Sequence, residues 1–196
     1  MVEAHGLPEP PSRQAVGCFM SSGAYSLAVM RRPAAALATG AFFLVAPCVV
    51  AGLVPWLISG WQLPGTASTL VVVRVVAGAI LVLGSVLVLV RNFARFVMEG
   101  RGTPAPIAPP EQLVVGGDYR YVRNPMYVAI VAAVLGQAII FGSRALLIYA
   151  VAVWAVMATF VRAYEEPTLL RRFGGGYERY RSNVRAWVPR LHPWQG

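Results

Sequence analysis

MYVAIVAAVLGQAIIFGSRALLIYAVAVWAVMATFV, residues 126–161, decides the fold. Two apolar runs, Met126 to Phe141 and Ala145 to Val161, are separated only by Gly142-Ser143-Arg144. Each is near the lower limit of about 17 residues for a membrane-spanning helix. So short a link forces an antiparallel helical hairpin. Gly136 in the first arm and Ala150, Ala152, Ala155 and Ala158 in the second are small enough to let the two helices approach closely.

Outward from the hairpin, Leu70 to Val90 forms another apolar run, which continues past Val90 through Arg91 and Arg95. Arg74, near the far end of that run, can reach the interface by snorkelling. Leu37 to Ile58 is about as long as a first transmembrane helix needs, roughly 20 residues, and longer than the core of a signal peptide. The whole-chain figures agree. Of 196 residues 57% are hydrophobic and only 13% charged, against about 25% charged for a soluble domain. Mean hydropathy is +0.60. The reading is an all-α membrane protein with about four transmembrane helices.

The chain has no lysine, so all 17 basic residues are arginine, and the formal net charge is +9. The arginines flank apolar runs instead of forming a basic stripe, which argues against nucleic-acid binding. The 59–69 loop carries no charge, whereas 91–125 and the C-terminal segment are rich in arginine. The positive-inside rule then places both termini in the cytosol. An arginine-only, GC-rich-looking composition fits a bacterial inner membrane. Cys18 and Cys48 show no metal or disulfide spacing and read as small apolar filler. Residues 1–30 read as a flexible tail, with Met30-Arg31-Arg32 as an alternative start.

Between the second and third helices, Pro104, Pro106, Pro109 and Pro110 favour a stiff, extended path. Past the hairpin, Pro167 suits the first turn of a new amphipathic helix, behind the helix-favouring negative charge of Glu165 and Glu166. Gly174-Gly175-Gly176 breaks that element, and Tyr177 to Trp187 reads as another. Trp187, Leu191 and Trp194 are candidate headgroup-zone anchors. Asp118 and Glu99 read as solvated loop charges, and Tyr177 and Tyr180 as packing for the terminal helix.

Two polar segments bracket the hairpin: Gly117-Asp118-Tyr119-Arg120-Tyr121-Val122-Arg123-Asn124-Pro125-Met126-Tyr127, and Glu165-Glu166-Pro167 onward through Phe173-Gly174 to Tyr180. Arg162 stands three residues before Glu165 and four before Glu166, so a helix puts all three on one face. The turn at 142–144 returns this face to Asn124 and Tyr127. Charged and aromatic side chains placed against membrane runs are costly to keep there and point to a polar site at the membrane surface.

The order Leu113-Val114, Gly117, Tyr119, Tyr121, Arg123-Asn124-Pro125-x-Tyr127, a hairpin, then Glu165-Glu166, Leu169, Phe173-Gly174, Tyr177 and Tyr180 resembles the isoprenylcysteine carboxyl methyltransferase and phospholipid methyltransferase superfamily over about residues 70–190. The resemblance implies an integral membrane S-adenosylmethionine-dependent methyltransferase, releasing S-adenosylhomocysteine. Its domain would be 31–196, with a cofactor-binding part at about 103–190. The cytosolic cofactor pocket would be built from the connection between helices two and three and the C-terminal helices.

The resemblance further implies a cofactor-binding set of Gln112, Leu113, Val114, Tyr119, Arg123, Asn124, Pro125, Met126, Tyr127, Glu165 and Glu166. Arg162, Glu166 and Asn124 are the candidate catalytic residues. Asn124 stands where the family pattern has His, which favours hydrogen bonding over proton transfer. Arg162 lies one residue out of register from a family arginine associated with the substrate side. Ala129 stands where many members carry Gly. The partners implied are the bilayer and a lipophilic small molecule, lipid or lipidated substrate. A prenylated cysteine carboxylate, a phospholipid amine, a quinone-like phenol and a small thiol all remain open as acceptors. An NADPH-dependent reductase of the sterol-reductase type is the alternative enzyme, and a non-catalytic scaffold the alternative outside enzymes.

Overall fold

The structure, a computed structural model, describes residues 45–63, 65, 68–99, 113 and 115–195, with side chains omitted for 96–99. All of them belong to one compact unit, Thr39–Gly196. The expected tail 1–30, the start of the first apolar run, and the proline-rich path with Gln112 and Val114 lie outside the described residues. Among the described residues the protein is all helical, without strands.

Five helices follow in order: α1 (Val45–Ser59), α2 (Thr69–Glu99), α3 (Pro125–Phe141), α4 (Arg144–Phe173) and α5 (Gly175–Asn183). Among the described helices, α2 and α4 are long and apolar enough to cross a membrane; α1 and α3 are shorter apolar helices. α3 is apolar around its whole circumference, which suits a helix surrounded by others. It is the hub of the bundle, touched by α1, α2 and α4, and it buries Ala129, Ile130, Ala133, Val134, Gly136, Gln137 and Ala138.

The hairpin forms as the sequence requires. Gly142 takes a left-handed φ of 61°, which L side chains rarely adopt, and its N–H bonds the Ala138 carbonyl. Ser143 caps α4 by accepting from the Leu146 N–H. Gly136, however, does not serve the hairpin partner. It faces Gly78 of α2: a Cβ at Gly78 would fall 2.5 Å from the Gly136 carbonyl, and one at Gly136 would fall 2.9 Å from the Gly78 carbonyl. The small residue therefore sets the α2–α3 approach, which is nearly backbone to backbone. Arg74 does not run free to the interface either. Its Nε donates to the Ile139 carbonyl at 3.1 Å, placing positive charge at the C-terminal end of α3.

Two prolines shape the helices by the same chemistry. In α1 a π-turn spans Val49–Leu53, with the Val54 N–H on the Val49 carbonyl. Pro55 has no N–H to offer the carbonyls of Val50 or Ala51. Side chains from other helices take both: the Tyr149 hydroxyl donates to Val50 at 3.0 Å, and Gln137 Nε2 to Ala51 at 2.7 Å. Gln137 Nε2 also donates to Ala133, and its Oε1 accepts from Trp61 Nε1 at 3.2 Å. In α4 a second π-turn spans Val161–Glu165, with the Glu166 N–H on the Val161 carbonyl. Pro167 follows at the same spacing as Pro55.

That second π-turn corrects the expected break between the fourth apolar run and an amphipathic helix. α4 runs without interruption for 30 residues and stops at Gly174. The last helix ends at Asn183, short of the expected Trp187, and Val184 turns extended. The remaining chain forms a strap. Arg185 accepts from the Arg123 N–H at 2.9 Å, Arg190 N–H donates to Tyr121 at 2.9 Å, and Trp194 N–H donates to Arg120 at 3.0 Å. Trp194 is accordingly no free anchor; it packs on Tyr180 at 5.5 Å between centroids.

Candidate active site

The polar residues gather at the end of the bundle opposite the hairpin turn, hereafter the open end. The short 3₁₀ turn Gly117–Arg120 is fixed first. Asp118 accepts from Asn92 Nδ2 at 2.8 Å and from Arg91 Nη2 at 3.3 Å, so it ties the turn to α2 and is not a solvated loop charge. Arg95 lies against Gly116 and Gly117. On the other side Tyr177, Tyr180 and Val184 form a buried core, with Leu113, Val115, Leu169, Phe173 and Trp194 packed on it. The Tyr180 hydroxyl donates to the Tyr119 carbonyl at 2.7 Å. Leu113 is thus part of the C-terminal packing.

Arg123 is held by both backbone and side chain. Its Nη1 sits 3.0 Å from Glu166 Oε1 and donates to the Tyr177 hydroxyl at 3.1 Å. Arg181 Nη2 stands 3.5 Å from the other Glu166 oxygen. The side chains of Arg123 and Glu166 are only 12% and 13% exposed, so this is a mostly buried pair, of the kind that is costly to break. The expected Arg162–Glu166 pair is replaced by it. The π-turn adds a residue to the helical turn after Arg162, which leaves the i, i+4 register. Arg162 itself is exposed and, among the described residues, makes no ion pair or hydrogen bond. Arg120 is also occupied, its Nε donating to the Trp194 carbonyl at 2.7 Å.

Glu165 turns the other way, into contact with the Tyr127 hydroxyl, which hydrogen-bonds its carboxylate. The Tyr119 phenol is buried close enough to Glu165 to feel its charge. Burial, reinforced by Glu165, pushes the Tyr119 phenol above the ordinary tyrosine range. Burial raises Tyr180 and Tyr177 likewise, against the opposing charge of Arg123. These phenols are therefore neutral hydrogen-bonding groups at physiological pH.

Asn124 occupies the N-cap position of α3 but makes no side-chain cap bond. An asparagine there normally accepts from the first turn. Its Nδ2 is buried and has no partner. Arg123 Nε and Glu165 Oε2 are also buried without partners. Two donors and one acceptor are therefore withheld from the fold around Tyr119 and Tyr127. Buried polar groups are nearly always satisfied, so these three are exceptions, as is Arg74 Nη2 at the hairpin end.

Of the expected site residues, the structure brings Tyr119, Arg123, Asn124, Tyr127, Glu165 and Glu166 together; Pro125 and Met126 open α3 beside them. Arg162 is joined to this group by no described contact. Sequence reasoning missed the parts played by Tyr177, Arg181 and Asp118. Their hydroxyl and charges were visible, but nothing in linear spacing connects Tyr177 to Arg123, 54 residues away.

A family model for phospholipid methyltransferase matches residues 72–176. The chain belongs to the phospholipid methyltransferase family. The family match runs from early α2 to just past the end of α4, so it takes in the first motif-bearing segment and the second as far as Gly176, and leaves out α1, Tyr177, Tyr180 and the C-terminal strap. The protein-S-isoprenylcysteine O-methyltransferase of Schizosaccharomyces pombe is 33% identical over 78 residues, which is 39% of this chain. That match spans about a third of the relative's length, 33%. Family membership and the two long apolar helices agree on a membrane protein of a methyltransferase family.

Proposed function

We propose that the protein is an integral membrane methyltransferase that uses S-adenosylmethionine and acts on a lipophilic or amphiphilic acceptor. The observation that carries this reading is the set of three unpartnered buried groups at the open end, Arg123 Nε, Asn124 Nδ2 and Glu165 Oε2. The group they fit presents both acceptors and donors. S-adenosylmethionine does so through its carboxylate, ammonium, ribose diol and adenine, and it supplies the methyl group as an electrophilic carbon on a sulfonium. Arg123 and Asn124 would donate to it and Glu165 would accept. Tyr119 and Tyr127 would offer ring surface to the adenine and the cation. Gln112, Leu113 and Val114 complete the expected lining, with Pro125 and Met126 behind Asn124.

In this reading Glu166 holds Arg123, and Arg162, exposed where α4 leaves its apolar stretch, faces the acceptor. Methyl transfer needs alignment more than covalent help, so the residues act chiefly by orienting and by excluding water. Four spans with both termini in the cytosol would set the open end at the cytosolic leaflet. The donor would then enter from water and the acceptor from lipid. The curated relative's name describes transfer to an isoprenylcysteine; here a lipidated cysteine, a phospholipid amine and other lipophilic nucleophiles are the acceptor class.

A nicotinamide dinucleotide fits less well. Its phosphates would need cations, whereas the buried groups here include two glutamates and the Arg123 Nη1 is already paired. The test is binding of S-adenosylhomocysteine against NADPH to purified protein by calorimetry, followed by transfer of labelled methyl into the host's lipid extract. Saturable binding of the first with a labelled lipid product supports the proposal. NADPH binding alone, or neither ligand, overturns it.

A further inference from the structure

The C-terminal strap, 184–194, lies outside the family match and carries an uncommon combination of groups. Trp187 packs edge-to-face on Trp154 of α4, with centroids 6.1 Å apart at 70°. Trp154 stands eleven residues before Glu165, which at about 1.5 Å per residue is some 16 Å toward the hairpin. That is well inside the apolar part of a helix able to cross a bilayer. With α4 spanning a bilayer, a strap residue that reaches Trp154 would lie beside hydrocarbon. The strap must therefore lie along the membrane surface with its Trp187 ring directed inward.

Two further strap residues expose apolar side chains. Val188 is 56% exposed and Leu191 is 93% exposed. On α4, Trp154 shares a helix face with the exposed Leu147 and Val151. Around the strap residues the charge is strongly positive. Residues 166–196 hold six arginines against Glu166 and Glu178. Arg171, Arg172, Arg179, Arg181 and Arg185 are exposed. Exposed apolar side chains in a segment this rich in exposed arginine match one occupant, the anionic phospholipids of the adjoining leaflet.

We infer that the strap is an interfacial docking edge for anionic phospholipid, with Trp187, Val188 and Leu191 entering the leaflet and Arg171, Arg172 and Arg185 binding its headgroups. The fold alone carries this inference, so the methyltransferase reading and the strap can fail separately.

The test uses the full chain with Cys18→Ser and Cys48→Ser, and with Leu191→Cys carrying an environment-sensitive NBD label. It is placed in nanodiscs of phosphatidylcholine alone or mixed with phosphatidylglycerol. Expected are blue-shifted emission, quenching by lipids brominated on the acyl chain, and a severalfold stronger quenching when phosphatidylglycerol is present. The added effect should vanish in an Arg171→Gln/Arg172→Gln/Arg185→Gln variant whose thermal midpoint is unchanged. Water-like emission in both membranes overturns the inference. So does quenching indifferent to lipid charge, or a signal that arises from contact between two labelled copies in detergent.

Discussion

The two ends of α3 hold comparable polar groups and treat them differently: one buried atom, Arg74 Nη2, is unpartnered beside the hairpin, and three are unpartnered at the open end. Near the hairpin, Gln137 has every bond filled: Ala51 and Ala133 accept from its amide, and Trp61 donates to it. The carbonyls that Pro55 leaves open in α1 are taken by Gln137 and Tyr149. At the open end, Asn124, Arg123 and Glu165 keep buried atoms with no partner. In an apolar surround an unmade hydrogen bond is expensive, so the concentration of unmade bonds at the open end is what makes it the candidate site. Both π-turns are followed by a proline two residues on, and the carbonyls freed by the first are closed by neighbouring helices.

The largest effect should come from breaking the mostly buried ion pair of the open end. Arg123→Met leaves Glu166 buried beside only the half-exposed Arg181, and a buried pair stripped of one partner costs about 3–5 kcal/mol. Thermal or denaturant unfolding in detergent should show that loss, together with the loss of S-adenosylhomocysteine binding.

The unpartnered groups should behave differently. Asn124→Ala and Glu165→Gln are each expected to weaken S-adenosylhomocysteine binding roughly ten- to a hundredfold, about 1.4–2.7 kcal/mol. Because Nδ2 and Oε2 make no bond in the fold, the thermal midpoint should stay level or rise. A clear fall in stability without a change in affinity would reverse the comparison.

Gln137→Leu should do the converse. It strands the Ala51 carbonyl and the Trp61 indole N–H, and each group left unpaired in a buried setting costs about 1–3 kcal/mol. Stability should drop while donor affinity holds, as read by a melting curve and a titration on the same preparation. Smallest is Tyr149→Phe, which removes a single interhelical bond worth about 0.6 kcal/mol on average within membranes. A midpoint shift of a degree or two is the expected reading; a shift equal to that of Gln137→Leu would mean that the two carbonyls form one cooperative unit.

Much of the fold was legible in the amino-acid order. The 126–161 stretch requires a hairpin because two apolar runs are joined by a left-handed glycine and a capping serine, all local properties. The second span and its extension through Arg91 and Arg95 follow from hydrophobic length in the same way. The candidate site was legible as two segments that the hairpin must bring together, and Tyr127 does meet Glu165. The pairing within it was not. The i, i+4 rule assumed 3.6 residues per turn, and the π-turn at Val161–Glu165 passed Glu166 from Arg162 to Arg123 and Arg181. Likewise Gly136 was visible as a close-packing residue, but which helix it admits depends on where α2 lies.

Composition, apolar run length and turn chemistry settled by themselves that this chain is a helical membrane protein with a reversed hairpin, since each depends only on neighbours in sequence. Which side chains are satisfied and which are left wanting was decided by the tertiary structure alone. A hydrogen bond has a range of about 3 Å, and its partner can come from anywhere along the chain, as Tyr177 does for Arg123 and Gln137 for Ala51.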